Sequence, residues 1–302
     1  MGDGPPRALV EELLTRWKLT KLRTVIVEGS FDQRLLRLIQ RESHCSKTLR
    51  DLDVWGIDSI DVPAACVQKH GLRGTGAKQR VIAFAREVES AALQDGFRGL
   101  VDKDIDLFVG INLQSASLLY TDHGCMDAYL WTTEVLQRLV IQFKCEGRVR
   151  TALEVQALFD SVVGSCADIA AARIASAQHP EWNMTIHHSD KALIVEKTKI
   201  NVDLMKYVEQ CQPIKGSLDA AKALVTDVRS KLDKLSLMNV LNGHDLLWVL
   251  VYALRAFTSS TRRSVDEETV ASSMVAFGVM NDELTNAPMF QSLVEWASPS
   301  GV

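Results

Sequence analysis

The chain has 302 residues, 47% of them hydrophobic and 24% charged, enough to bury a sizeable core in one large domain or two ordinary ones. Its formal net charge of −4 excludes a global positive field that would draw it to nucleic acid. The charge is uneven: residues 1–100 carry 16 Lys/Arg against 13 Asp/Glu, and the remaining 202 carry 18 against 25, so nucleic-acid contacts should lean on the first third.

After the loop Gly4-Pro5-Pro6, residues 7–17 read as an amphipathic helix. Residues 22–27 are rich in β-branched side chains and favour a strand. Leu35, Leu36, Leu38 and Ile39 at helical spacing favour a helix over 32–41. Residues 52–57 read as a second strand, and a polar Gly-rich loop follows over 70–76. A helix over 77–93 presents Val81, Ile82, Phe84, Ala85 and Val88 on one face. Residues 97–101 form a third strand and 115–120 a fourth. Strands alternating with helices predict a mostly parallel α/β sheet flanked by helices.

From residue 126 the pattern turns helical: 126–143, 152–177, 217–235, 245–257, 266–277 and a short helix over 289–296. Residues 182–199 are ambiguous and hold one or two strands. The exposed-looking Glu146-Gly147-Arg148 suggests a division into 1–148 and a mainly helical region, 149–302, packed on it as a partner-binding or dimerisation surface.

Cys45, Cys66, Cys125, Cys145, Cys166 and Cys211 are scattered, with no C-x-x-C pair. That spacing argues against a zinc site and for a reducing compartment. No long apolar core follows basic residues at the N-terminus, so no signal peptide is expected. The apolar stretch 246–254 is too short to span a bilayer. The expectation is a soluble, cytoplasmic protein with no membrane partner.

Two acidic stretches carry the chemistry. Val25-Ile26-Val27-Glu28-Gly29 is an apolar run ending in Glu-Gly, with Asp32 one helical turn on. Gly99-Leu100-Val101-Asp102-Lys103-Asp104-Ile105-Asp106 is an apolar run ending in alternating aspartates. Strand C-termini of an open α/β sheet share one rim, where ligands bind. Carboxylates gathered there repel unless a cation intervenes, and Mg²⁺ is the usual hard ion, with Mn²⁺ as its substitute. Gly29 would permit a tight turn beside it. Asp32 instead suits a helix N-terminus equally well, and the aspartate run also reads as a solvated loop.

Gly74-Thr75-Gly76 leads into a helix bearing Lys78, a phosphate-binding arrangement or an ordinary helix entry. Lys103 sits between two aspartates and could offset phosphate charge. Asp122, His123 and Asp127 could complete a second metal site or contact substrate, and Asp122 suits a helix cap equally well. His244 is a candidate general acid, Asp245 a plain N-cap, and His187-His188 a solvated pair.

Strand–Glu28–Gly29, helix, then strand–Asp102-x-Asp104 resembles the TOPRIM motif of topoisomerases, bacterial primases and nucleases of the overcoming-lysogenisation-defect type. "VEGSFD", "GTGAK", "GLVDKDID" and "YTDHGCMDAYL" are similar to stand-alone TOPRIM-like nuclease effectors of bacterial phage defence, nearest the toxin family of the PARIS system. "NGHDLLWVL" and "MFQSLVEWA" look like that family less distinctively. The resemblance covers about residues 22–131. It implies a Mg²⁺-dependent endonuclease cutting RNA such as tRNA, held by an ABC-type ATPase partner and released on infection. It assigns Glu28 as the invariant acid, Asp102 and Asp104 as metal ligands, and Asp32 as the acid for another ion. Lys103, Lys78, Gly76 and His244 are the expected catalytic and substrate contacts, and an active homodimer is compatible with it. None of Tyr120, Tyr129, Tyr207 and Tyr252 has a topoisomerase context, which favours hydrolysis over strand passage. The reading from another class is a non-catalytic module that docks on an ATPase.

Overall fold

A computed structural model describes residues 7–41, 47–72, 74–109, 115–182, 184–211, 217–259, 265–280 and 284–298. Cys45, and Arg73 within the Gly-rich loop, lie outside the described residues. The fold is mixed α/β, with a mostly parallel sheet flanked by helices. Two compact units interleave along the sequence: Met1–Asp102, Asn112–Asp122 and Asn281–Val302 in the first, Lys103–Ile111 and His123–Met280 in the second.

The first unit opens with β1 (Ala8–Leu9) and α1 (Val10–Thr20). Then come β2 (Thr24–Val27), α2 (Ser30–Ile39), α3 (Lys47–Arg50), β3 (Asp53–Gly56), β4 (Ile60–Asp61), α4 (Ala64–Lys69), α5 (Ala77–Ser90), β5 (Phe97–Val101) and β6 (Leu118–Tyr120). Four strands pair in the order β3-β2-β5-β6, every pair parallel. β1 and β4 form a separate two-stranded parallel pair.

β2 lies inside the sheet with neighbours on both sides, and all four of its residues are buried. A strand covered on both faces reads as a continuous apolar run rather than an alternating one, as Val25-Ile26-Val27 does. α2 packs on β3 and α5 on β5. Ile26, Val81, Ile82, Phe84, Ala85, Val88, Phe97 and Val101 belong to one buried cluster. Gly99 lets α5 approach closely: a Cβ there would sit 2.8 Å from both Val81 Cγ1 and Leu118 Cδ2.

The second unit contains α6 (Thr133–Gln142), α7 (Ala152–Gln178), the antiparallel hairpin β7 (Leu193–Glu196) and β8 (Lys199–Val202), α8 (Leu204–Cys211), α9 (Leu218–Leu232), α10 (Gly243–Phe257) and α11 (Glu267–Gly278). The ambiguous stretch thus supplies two strands, reaching three residues past the expected end. α7 is its axis, packing on α9, β8, α10 and α6. By length and composition α7 is apolar enough to cross a membrane, and 61% of its most apolar window is buried within the protein. Thr151 Oγ1 accepts the Glu154 N–H and Glu154 reaches back to the Thr151 N–H, closing a capping box at its start. The helix expected from residue 126 begins later. Residues 126–130 make a tight 3₁₀ turn, and Thr132 Oγ1 accepts the Val135 N–H, so Thr132 caps the α-helix.

The last helix, α12 (Pro288–Ala297), belongs to the first unit and packs on α3 and β6. Trp296 lies under the Arg98 and Arg23 guanidinium groups, 4.9 and 5.7 Å from its ring centre, and Arg23 Nη1 donates to Ser298 O at 2.7 Å.

Gly99→Ala should therefore overpack the α5–sheet contact and cost about 1–3 kcal/mol. Urea unfolding measures it: a lower midpoint with an unchanged slope is expected.

Candidate functional site

β2 and β5 are neighbours, yet the chain departs from β2 to β3 on one side before returning to β5 on the other. The order reverses between them, and the crevice beyond the strand C-termini at such a reversal is where open α/β sheets bind ligands. Glu28 and Asp102 are the residues that leave those two strands. The register pairs Val27 with Leu100. Glu28 Oε1 accepts the Asp102 backbone N–H at 2.8 Å, so the two acidic residues meet at the rim, both half-buried.

Asp32 occupies the third position of α2, and its Oδ2 accepts the Gly29 N–H at 3.1 Å. It serves the helix N-terminus while standing one turn from Glu28. Gly29 has φ −135° and ψ 172°, an extended conformation open to any residue. A Cβ there would meet nothing closer than 3.8 Å, so no tight turn demands this glycine, contrary to the sequence reading.

α5 runs antiparallel to β5. Phe84 packs edge-on against Phe97 at 5.6 Å, and the position of Gly99 faces Val81, nearer the helix start. The N-terminus of α5 therefore lies toward the C-terminal end of β5, on the rim that carries Asp102. Gly76 caps that helix and the side chain of Lys78, in its first turn, is buried. The expected elements of a phosphate-binding rim in the first unit are thus Glu28, Asp32, Asp102, Gly76 and Lys78.

Lys103 and Asp104 follow Asp102 along the chain and belong to the second unit, where both are half-buried. Asp104 adopts a left-handed backbone, φ 47°, which aspartate tolerates better than most residues. Its N–H donates to Gly124 O at 2.7 Å, and the Gly124 N–H donates to Met238 O at 2.9 Å. A Cβ on Gly124 would fall 2.3 Å from Leu241 O, so only glycine passes there. Asp106 opens a short 3₁₀ turn over 106–108.

The remaining candidates divide. Asp122 Oδ2 accepts the Met289 N–H at 3.0 Å, so it caps α12, not the helix that follows it in sequence. Asp127 lies against the first turn of α10, where a Cβ on Gly243 would fall 2.1 Å from Asp127 Oδ2. His123 packs beside Tyr129, ring centres 5.1 Å apart. His244 is exposed at the start of α10, with its N–H held by Asn242 Oδ1 at 3.1 Å.

Asn242, not Asp245, caps α10, accepting N–H bonds from His244 and Asp245. Asp245 is instead buried, 1% exposed, and paired. Arg173 donates to it through Nε and Nη2 at 2.8 and 2.6 Å, and His188 Nε2 lies 2.8 Å from its Oδ1. His188 also stacks on Trp248 with ring centres 4.6 Å apart. The pair expected to be solvated thus splits: His187 bonds the Thr185 carbonyl oxygen at the surface and His188 joins a buried acid. No spacing rule could reveal this cluster, since Arg173 and His188 are 72 and 57 residues from Asp245.

Burial pushes the Asp245 carboxyl up, but the bonds from His188 and Arg173 outweigh it and hold the group below the ordinary carboxylate range. The same pairing raises Arg173 against the opposing pull of burial, and Asp104 adds to it from within the second unit.

No family model matches the chain, and no curated protein is significantly similar to it.

A carboxyl lowered by folding contributes stability above its unfolded value and loses it as pH falls through the folded one. Wild-type stability should therefore drop on acidification below about pH 4. Asp245→Asn should cost about 3 kcal/mol near neutrality, through the unpaired Arg173 charge, and flatten that acid limb. Chemical denaturation from about pH 7 to about pH 3 follows both effects.

Proposed function

We propose that this chain is a metal-dependent endonuclease of the TOPRIM type, an α/β sheet domain followed by a mainly helical region. In this reading it acts as a toxin effector in anti-phage defence, similar to AriB of the PARIS system, and is restrained by an ABC-type ATPase partner. RNA, with tRNA favoured, is the proposed substrate. One observation carries the reading: Glu28 and Asp102, 74 residues apart in sequence, meet where the strand order reverses.

The donor set suits a hard divalent cation. Glu28, Asp32 and Asp102 offer carboxylate oxygens, the ligands Mg²⁺ and Mn²⁺ prefer. Asp104, two residues along the chain, is the further ligand the TOPRIM resemblance assigns. Bound there, Mg²⁺ would supply an activated water and offset charge on the scissile phosphate.

The chain's own groups do the rest. The Asp102 N–H bonds one Glu28 oxygen, which orients the carboxylate at the rim. The Gly29 N–H likewise holds one oxygen of Asp32. The first-turn N–H groups of α5, with Lys78, favour a phosphate on the same rim. Lys103 supplies positive charge between two aspartates. No nucleophilic side chain is required, because water attacks phosphorus directly.

Glu28→Gln tests this without disturbing the backbone link, since the amide oxygen still accepts the Asp102 N–H. Glu28→Gln and Asp102→Asn should each lower Mg²⁺-dependent cleavage of RNA by at least about 100-fold, with melting temperatures near wild type. EDTA should abolish cleavage and Mn²⁺ restore it. Wild-type cleavage by Glu28→Gln, or equal cleavage in EDTA, would refute the assignment. Cleavage of neither RNA nor DNA, with no melting-temperature response to Mg²⁺, would favour the docking module.

A further inference from the structure

A second cluster in the first unit uses a different chemistry. Cys66 and His70 stand four residues apart at the end of α4, a spacing that puts both side chains on one helix face. Glu87, on α5, reaches across to them. Its Oε1 accepts from Cys66 Sγ at 3.7 Å and lies 2.7 Å from His70 Nε2. The Cys66 sulfur, His70 nitrogen and Glu87 oxygen all fall within 4.8 Å of one another, and all three residues are half-buried.

We propose that Cys66, His70 and Glu87 form a binding site for a borderline-soft divalent metal of the zinc class, distinct from the hard-cation rim at Glu28. A thiolate, an imidazole and a carboxylate are the ligands zinc takes, at about 2.3 Å for sulfur and about 2.0–2.2 Å for nitrogen and oxygen. Tetrahedral angles then separate ligand atoms by roughly 3.3–3.6 Å. The sulfur–oxygen distance already matches, and the nitrogen–oxygen hydrogen bond must open by under about 1 Å.

The surroundings hold the ligands in place, although burial and the Glu87 carboxylate push the Cys66 thiol up to about 11. Arg86 Nη1 donates to the His70 carbonyl at 2.6 Å, so the backbone is fixed while the ring faces Glu87. The His70 side chain is only 12% exposed, which limits its rotamers. Lys69 also donates to Glu87 Oε1, but its side chain is 61% exposed and is free to turn outward. On binding, the thiol proton passes to solvent and sulfur donates to the metal; any proton on the imidazole nitrogen leaves likewise. Three protein ligands leave a fourth position for water.

The consequence is positional. The metal would tie the end of α4 to the last turns of α5. Sequence spacing argued against zinc because it considers cysteine pairs alone; here one cysteine works with residues from two helices.

Cobalt titration of the metal-stripped full chain tests the site. One equivalent should produce thiolate-to-cobalt charge-transfer absorption, and zinc should bleach it. Cys66→Ser should remove the band, His70→Ala should weaken cobalt binding at least tenfold, and Glu28→Gln should leave both unchanged. Zinc, but not magnesium, should protect Cys66 from alkylation, as read by peptide mass spectrometry on the wild-type chain. Absence of the band in wild type, its survival in Cys66→Ser, or alkylation of Cys66 unaffected by zinc would each overturn the proposal. Loss of the band in Glu28→Gln would do the same, because it would place the metal on the other rim. The outcome is independent of whether the chain cleaves RNA.

Discussion

The hydrogen bond from the Asp102 N–H to Glu28 Oε1 joins the ends of two adjacent parallel strands. A parallel pair cannot be joined by a hairpin, so the chain must cross over between them. Everything from α2 to α5 is that crossover, and it brings β3 to one side of β2 and leaves β5 on the other. The rim chemistry follows from this path. With β2 central and buried, Glu28 as the first residue past it lies at the strand end, beside Asp102, the first residue past β5.

The second unit rests on a different constraint, the burial of Asp245. An acid 1% exposed must be neutralised or paired, and here Arg173 and His188 converge on it from separate parts of the chain. The arrangement also explains the start of α10. Asn242 caps the helix, Gly243 admits the Asp127 carboxylate, and Asp245 is released from capping to bind α7. Asn242, Gly243 and Asp245 thus have separate tasks, and only the Asn242 cap follows from a local rule.

The sheet was legible because its strands are short apolar runs bounded by turn residues, and β5 occupies the five residues expected. So was α7, whose long small-residue pattern has a Thr151 cap and Glu154 behind it. The acids at the rim were legible for the same reason: a residue directly after a buried strand can only be at its end. Functions set by long-range pairing were not legible. Asp122 reads locally as a metal ligand or a cap for a nearby helix, yet it accepts from the first turn of a helix 167 residues away. α4 was missed because its six residues show less than two turns of periodicity. The 3₁₀ turn over 126–130 has the apolar spacing of a helix start, and only the Thr132 cap places the true beginning.

The place of α12 in the sequence has a consequence for biosynthesis. β6 is an edge strand, and α12, made of residues 288–297, packs against it with Asp122 capping the helix start. During translation the sheet strands emerge first, and all of the second unit is synthesised before this cover exists. A chain that ends before α12 therefore leaves uncovered the α3 and β6 surfaces on which this helix packs. Such fragments should be prime clients for chaperones and proteases, because the first unit is completed only by a helix that follows the whole of the second unit in sequence.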